Sequence, residues 1–200
     1  MDDALRIILP LYLVAYFGVA FVWRSVAVWK QTGVNPYVLG KTDNAHDFIG
    51  VVFRLTFVLI VAVIIVFAFF SPLYQYAAPL IWIEHQSVKS IGLVLLAASL
   101  VWTAIAQVQM GASWRIGIDR ENRTELVQNG LFSVSRNPIF FGMRVALLGF
   151  FLTLPNAITL LALVLGDVLM QIQVRLEEEF LRNAHGEKYT EYCRNARRWI

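Results

Sequence analysis

Leu126-Val127-Gln128-Asn129-Gly130-Leu131-Phe132-Ser133-Val134-Ser135-Arg136-Asn137-Pro138 stands at the entrance to two apolar runs separated only by Leu154-Pro155-Asn156. The second run leaves through Gln171, Gln173 and Arg175 into Glu177-Glu178-Glu179, and a charged tail then continues to Arg198. Two apolar helices joined at one proline make a hairpin with charge at both mouths. Helices rise about 1.5 Å per residue, so residues equally far from Pro155 lie at similar depth. Arg136 is 19 residues before it and Val174 is 19 after it. The spacing predicts that Arg136-Asn137-Pro138 meets Arg175, Glu177 and Glu178 at one membrane face, where a polar cosubstrate can be held beside lipid.

Outward from the hairpin, the chain reads as membrane scaffold. Of its 200 residues 58% are hydrophobic, and the mean hydropathy is +0.61. That exceeds what a soluble core can hide. An apolar run from Ile7 to Trp23 is nearly long enough to cross a hydrocarbon layer about 30 Å thick. Pro10 falls in its first turns, and the preceding Asp2 and Asp3 do not suit a secretory leader. A polar stretch from Arg24 to Asp47 follows, with turn signals at Gly33, Asn35-Pro36, Gly40 and Asp43-Asn44. A second run, Leu55 to Phe70, reads as a helix beginning earlier, near Ile49, with Arg54 at the membrane edge or snorkelling. Ser71-Pro72 closes it, and a third span is expected from about Ser90 to Met110. Tyr74, Tyr76, Trp82 and Trp114 suit interfacial belts.

Charge sets the orientation. The formal net charge of +3 suggests nucleic-acid affinity only if its location is ignored. The segments 24–48, 111–138 and 175–200 hold 3, 4 and 6 Lys or Arg, whereas 71–88 and the hairpin tip hold none. Five spans with an outside N-terminus put all three basic segments in the cytoplasm. The expected fold is all-α: one polytopic domain over 1–200 of about five transmembrane helices, the last two a short hairpin, with a cytoplasmic helical tail. Residues 1–110 are its scaffold and 111–200 its cofactor-binding, catalytic region. Cys193 has no partner for a disulfide or thiol metal site. His46, His85 and His185 lack metal-ligand spacing, so no metal is expected and a surface role is the default for each.

The pattern Leu126-Val127…Gly130-Leu131-Phe132…Arg136-Asn137-Pro138…Phe141-Gly142, then Arg175, Glu177-Glu178, Leu181, Gly186, Tyr189, Tyr192 and Arg198, resembles the isoprenylcysteine carboxyl methyltransferase and phospholipid methyltransferase superfamily. That family usually carries Arg-His-Pro where this chain has Arg136-Asn137-Pro138, and an aromatic where it has His185. The resemblance implies a bacterial-type enzyme of the inner or plasma membrane that uses S-adenosylmethionine to methylate a lipophilic acceptor. A prenyl-like carboxyl group is the first choice of acceptor and a phospholipid amine the second. It places Gly130, Phe132, Arg136, Asn137, Pro138, Gly142, Glu177, Glu178 and Tyr189 at the cofactor, with Arg136, Arg175 and Glu178 carrying catalysis. Membrane sterol reductases, which use a nicotinamide cofactor, are similar in the same helices. A non-enzymatic scaffold with a decayed pocket is the third reading.

Methyl transfer from a sulfonium requires mainly that the donor be held in line with a nucleophile and that water be excluded. Glu177 and Glu178 suit the donor's ammonium, and Arg136 or Arg175 its carboxylate. The plain alternative is a solvated helix exit with local charge pairing. Gly142 admits the close approach of a cofactor or of another helix, with neither favoured. Gly130 passes its backbone near adenosine or is a simple turn, and Trp114, Arg115 and Gly117 close over the donor or rest on headgroups. Arg144 and Asp167 are 11 before and 12 after Pro155. They are expected to pair across the hairpin; the functional alternative has Arg144 facing an anionic substrate head. A general base is not identifiable, and only an amine acceptor would need one.

Overall fold

A computed structural model describes residues 2–38, 45–117 and 125–200, and Gly40 and Asp43-Asn44 fall outside them. Among the described residues the chain is helical and has no strand. Helix α1, Asp2–Phe17, passes through a wide π turn, Gly18–Trp23, into α2, Arg24–Thr32. The first rod therefore extends well into the stretch expected to be an irregular polar loop. It stops at Gly33, whose left-handed φ of 71° lets its N–H bond the carbonyl of Trp29, a C-terminal geometry glycine adopts without steric cost. Arg24 does not enter water; its guanidinium is buried and donates to the carbonyl of Gly111. Pro10 lies past the second turn of α1, where membrane helices tolerate proline because neighbours re-satisfy the freed carbonyl.

The remaining helices are α3, Ala45–Phe69; α4, Gln86–Met110; α5, Pro138–Thr153; α6, Ala157–His185; and α7, Glu187–Asn195. Four rods, Asp2–Thr32, Ala45–Phe69, Gln86–Ser113 and Ala157–His185, are long and apolar enough to cross a membrane. Helix α5 is apolar but has 16 residues, which gives about 24 Å of rise. Pro138 is its first residue, a position where the absent N–H costs nothing. The hairpin turns at Pro155, and Asn156 starts α6 with a capping box: its Oδ1 accepts from the N–H of Ile158 and Thr159.

Glycines decide which helices approach most closely. A Cβ on Gly92 would lie 2.3 Å from Thr153 Oγ1 and 2.8 Å from the carbonyl of Gly149. One on Gly149 would meet the carbonyl of Gly92 at 3.0 Å. Backbone thus lies on backbone between α4 and α5, the small-residue packing that substitutes for a hydrophobic driving force in lipid. Continuing the same stripe, α4 carries Ser99, Thr103 and Gln107, all buried, which also meet the first rod. The Tyr12 hydroxyl lies 2.9 Å from Ser99 Oγ, and Gln107 Nε2 donates to the carbonyl of Ala20 at 2.9 Å. The wide turn explains the latter, because a π segment alters the local hydrogen-bond ladder where Gln107 inserts. Leu5, Leu9, Ile60, Ile64, Leu96 and Leu154 form the apolar centre.

Loops at one end interlock in a ring. Val38 donates to Ile116 at 3.0 Å and Ile116 to Pro36 at 2.8 Å, Leu131 to Gln109 Oε1 at 2.7 Å, and Arg136 Nη1 to Ala196 at 2.6 Å. At the opposite end Lys89, 5% exposed, holds Asp2 and Glu84 at 2.7 Å each. Leu80 there donates to Pro155 at 2.9 Å and Ala157 to Ala78 at 3.2 Å. The described parts of the three basic segments thus share one end, and the hairpin tip lies at the other.

Candidate functional site

The site is built where α5 begins. Pro138 keeps Asn137 out of the helical region, and residues 134–137 form an irregular strap before the first turn. The tail after α7 lies along this strap: Arg136 N–H donates to the Arg197 carbonyl at 2.8 Å, and Arg197 N–H to Val134 at 3.3 Å. The Tyr192 hydroxyl donates to the Phe132 carbonyl at 2.6 Å, anchoring α7 to the turn Gly130–Ser133. Tyr189 and Tyr192 pack edge to face at 6.1 Å, against Leu126, Leu181 and Cys193.

Glu178 is the centre of the site. Only 4% exposed, its carboxylate accepts from Arg136 Nε at 3.2 Å and Nη2 at 3.1 Å. Asn137 Nδ2 adds a bond of 3.3 Å, and Arg198 bonds both oxygens through Nε at 3.1 Å and Oε2 through Nη2 at 2.8 Å. A carboxylate removed from water needs such partners. Asn137 also donates to the Arg198 carbonyl at 3.1 Å. The Asn137 amide is thus a buried clasp between three segments. The carboxylate bonded by its Nε and Nη2 holds the Arg198 guanidinium above its ordinary pKa. Burial raises the Tyr189 phenol and pushes Tyr192 up to about 12.

Of the residues singled out from sequence, Arg136, Asn137 and Glu178 meet directly, and Phe132 and Tyr189 belong to the same knot. Pro138 sets the strap, and its carbonyl accepts from Trp102 Nε1 at 2.8 Å. Other candidates lie apart from the Glu178 carboxylate. Arg175 is exposed and bonds Gln171 on its own helix, at 2.6 Å to the carbonyl and 2.9 Å to Oε1; it lies off the buried face that carries Gln173, Val174 and Glu178. Gly142 faces α4, where a Cβ would lie 2.2 Å from Thr103 Oγ1, so its smallness serves helix packing. Gly130 seats on Gln109, whose side chain would be 2.5 Å from a Cβ. Trp114 is buried at 3% exposure, its ring inside the protein and not on its surface, and the pairing of Ile116 with Tyr37 ties its loop to residues 36–38.

Glu177 points elsewhere from Glu178, as adjacent helix residues must. Gln173 Nε2 donates to its Oε1 at 2.8 Å, and Gln173 Oε1 lies 3.3 Å from His46 Nδ1. The Gln173 side chain thus bridges Glu177 on its own helix and His46 on α3. His46 is therefore a member of this polar line from α3, contrary to the surface role expected of it. Arg198 and His46 are the functional candidates that sequence reasoning missed. Arg198 carried a signal as the last residue of the motif, and His46 carried none.

The Arg144–Asp167 pair forms as expected, Nε to Oδ1 at 2.5 Å, with the Trp199 ring 4.5 Å from the guanidinium carbon. A search among curated proteins returns no match for this chain. A family profile described as protein of unknown function (DUF1295) matches residues 11–196. With nearly its whole length matched, this chain belongs to the DUF1295 family.

Proposed function

We propose that this chain is an S-adenosylmethionine-dependent methyltransferase acting on a lipophilic acceptor, with its polar knot facing the cytoplasm and α5 counted as the fourth of five spans. The observation that carries the reading is the knot itself: Arg136, Asn137, Glu178 and Arg198 gathered from three segments beside helices apolar enough to span lipid. Solvated helix exits do not bury a carboxylate under two guanidinium groups. The motif resembling the isoprenylcysteine and phospholipid methyltransferases runs through the same residues.

The side chains fit the donor. The Tyr189 hydroxyl is buried beside Cys193 and Glu178, a polar atom next to the knot that a polar ligand would satisfy more fully. Four of the five N–H groups of Arg136 are engaged, so the donor carboxylate falls instead to half-buried Arg198, whose Nη1 edge is left over. Glu177 suits the donor ammonium. S-adenosylmethionine supplies an electrophilic methyl carbon, which passes to the acceptor nucleophile as its bond to sulfur breaks. The protein's part is to orient, to exclude water and to keep the charged groups in place. Arg136 and Asn137 act as positioning residues through Glu178.

Calorimetric titration of detergent-purified protein with S-adenosylhomocysteine tests the reading. Saturable binding, lost in Glu177→Gln and in Arg198→Ala while both variants remain folded, is the expected result. No heat from well-folded wild type sinks it, and NADPH is then titrated for the reductase reading.

A further inference from the structure

The groove between α5 and α6 has a volume of about 520 Å³, within the range of about 300–1,000 Å³ typical of small-molecule pockets. Its walls are apolar, with Phe141, Leu147, Leu148, Val164 and Val168 among them, and Arg144 and Asp167 are its charged groups. Leu148, Val164 and Val168 are exposed, so the groove opens outward to the bilayer. Both members of the ion pair remain partly open as well, with side chains 30% and 37% exposed.

An ionic pair opening on hydrocarbon is costly, and such groups ordinarily turn inward. This one keeps recognition capacity. The bond between them uses the Nε of Arg144 and the Oδ1 of Asp167; the two terminal guanidinium nitrogens and Asp167 Oδ2 are left over. Trp199 covers the guanidinium face and leaves its edge for in-plane donors. Arg144 is six residues past Pro138, about 9 Å along the helix, a depth from which a long side chain reaches the headgroup level.

We propose that this groove binds one zwitterionic amphiphile, an aminophospholipid, with its phosphate on Arg144, its ammonium on Asp167 and a hydrocarbon chain along the apolar walls. Charge complementarity selects this occupant. A simple anion on the spare guanidinium nitrogens of Arg144 sits beside Asp167 as a like charge, and a simple cation on Asp167 Oδ2 sits beside Arg144 in the same way. A zwitterion adds charge-assisted hydrogen bonds to both members without separating them. The site stands apart from the Glu178 knot, and its occupancy does not depend on adenosylmethionine binding.

Native mass spectrometry of the detergent-purified chain, titrated separately with phosphatidylethanolamine and phosphatidylglycerol of the same acyl chains, tests this. One phosphatidylethanolamine should be retained per chain, about tenfold more tightly than phosphatidylglycerol. Arg144→Gln/Asp167→Asn should abolish that preference, and Leu148→Trp, which fills the groove and keeps both charges, should abolish retention. Equal retention of the two lipids overturns the proposal, as does retention that survives Leu148→Trp in a folded protein. The second variant keeps the test decisive if the first fails to fold.

Discussion

Arg136 and Glu178, 42 residues apart in sequence, close to 3.1 Å at the mouth of a helical hairpin, and Arg198 completes the contact from the far side of the same carboxylate at 2.8 Å. Glu178 is thus the counter-charge for two cations. Replacing it by glutamine leaves two guanidinium groups facing one another with no anion between them. The expected loss is about 3–5 kcal/mol, the range for breaking a buried pair from one side, read as a lower unfolding temperature in detergent. An unchanged temperature would show that water already solvates the knot.

Asp167→Asn should lower the yield of folded protein more than Arg144→Leu/Asp167→Leu does. The single change strands Arg144, whereas the double change removes both charges. Size-exclusion yield after membrane extraction measures this, and equal yields for all variants refute it.

Gly142 separates helix packing from ligand contact. Gly142→Ala should destabilise by about 1–3 kcal/mol through overpacking, because its new methyl meets Thr103 Oγ1. Thr103→Ala in the same chain should restore most of the loss. Gly92→Ala allows no comparable rescue, since Thr153 N lies 2.6 Å from the added carbon and backbone cannot be trimmed. Gly18→Ala, with nothing within 4 Å, should be silent.

Tyr192 gives the tail a pH limit. Its phenol is raised from 10.0 to about 12 chiefly by burial, so the folded form favours the neutral state. Below pH 10 both folded and unfolded phenols are protonated and this contribution is fully present. Between pH 10 and 12 the unfolded phenol ionises first and the contribution is progressively lost. Tyrosinate absorbance should show a late-titrating component that loses one phenol in Tyr192→Phe, the share of Tyr189 and the other buried tyrosines remaining. That variant should cost about 1 kcal/mol for the lost bond to Phe132. A spectrum with no late component would place Tyr192 in water.

Much of this architecture was legible because depth in a hairpin is a linear quantity. Counting from Pro155 brought Arg136 to the level of Glu178 and Arg144 to that of Asp167, and both pairs close. Rotation was not legible in the same way. Helix α6 is apolar on most sides through its membrane portion, so its pattern hides which face is buried; Arg175 and Glu178 share a depth, yet only Glu178 shares the inward face. Gly142 was ambiguous because a small residue in an apolar helix looks the same whether a ligand or a helix fills the space. The contributions of Arg198 and His46 depend on where a tail and the start of α3 come to rest, and no periodicity encodes that.

The backbone contact between Gly92 and Gly149 also has a mechanical meaning. Where helices touch through side chains, rotamer changes let them slide or part; where they touch through main chain, nothing soft lies between them. Helices α4 and α5 therefore move as one plank. Any widening of the groove that holds Arg144 must come from α6 swinging about the short turn at Pro155, and the tail laid along residues 134–137 is the tether that limits the swing.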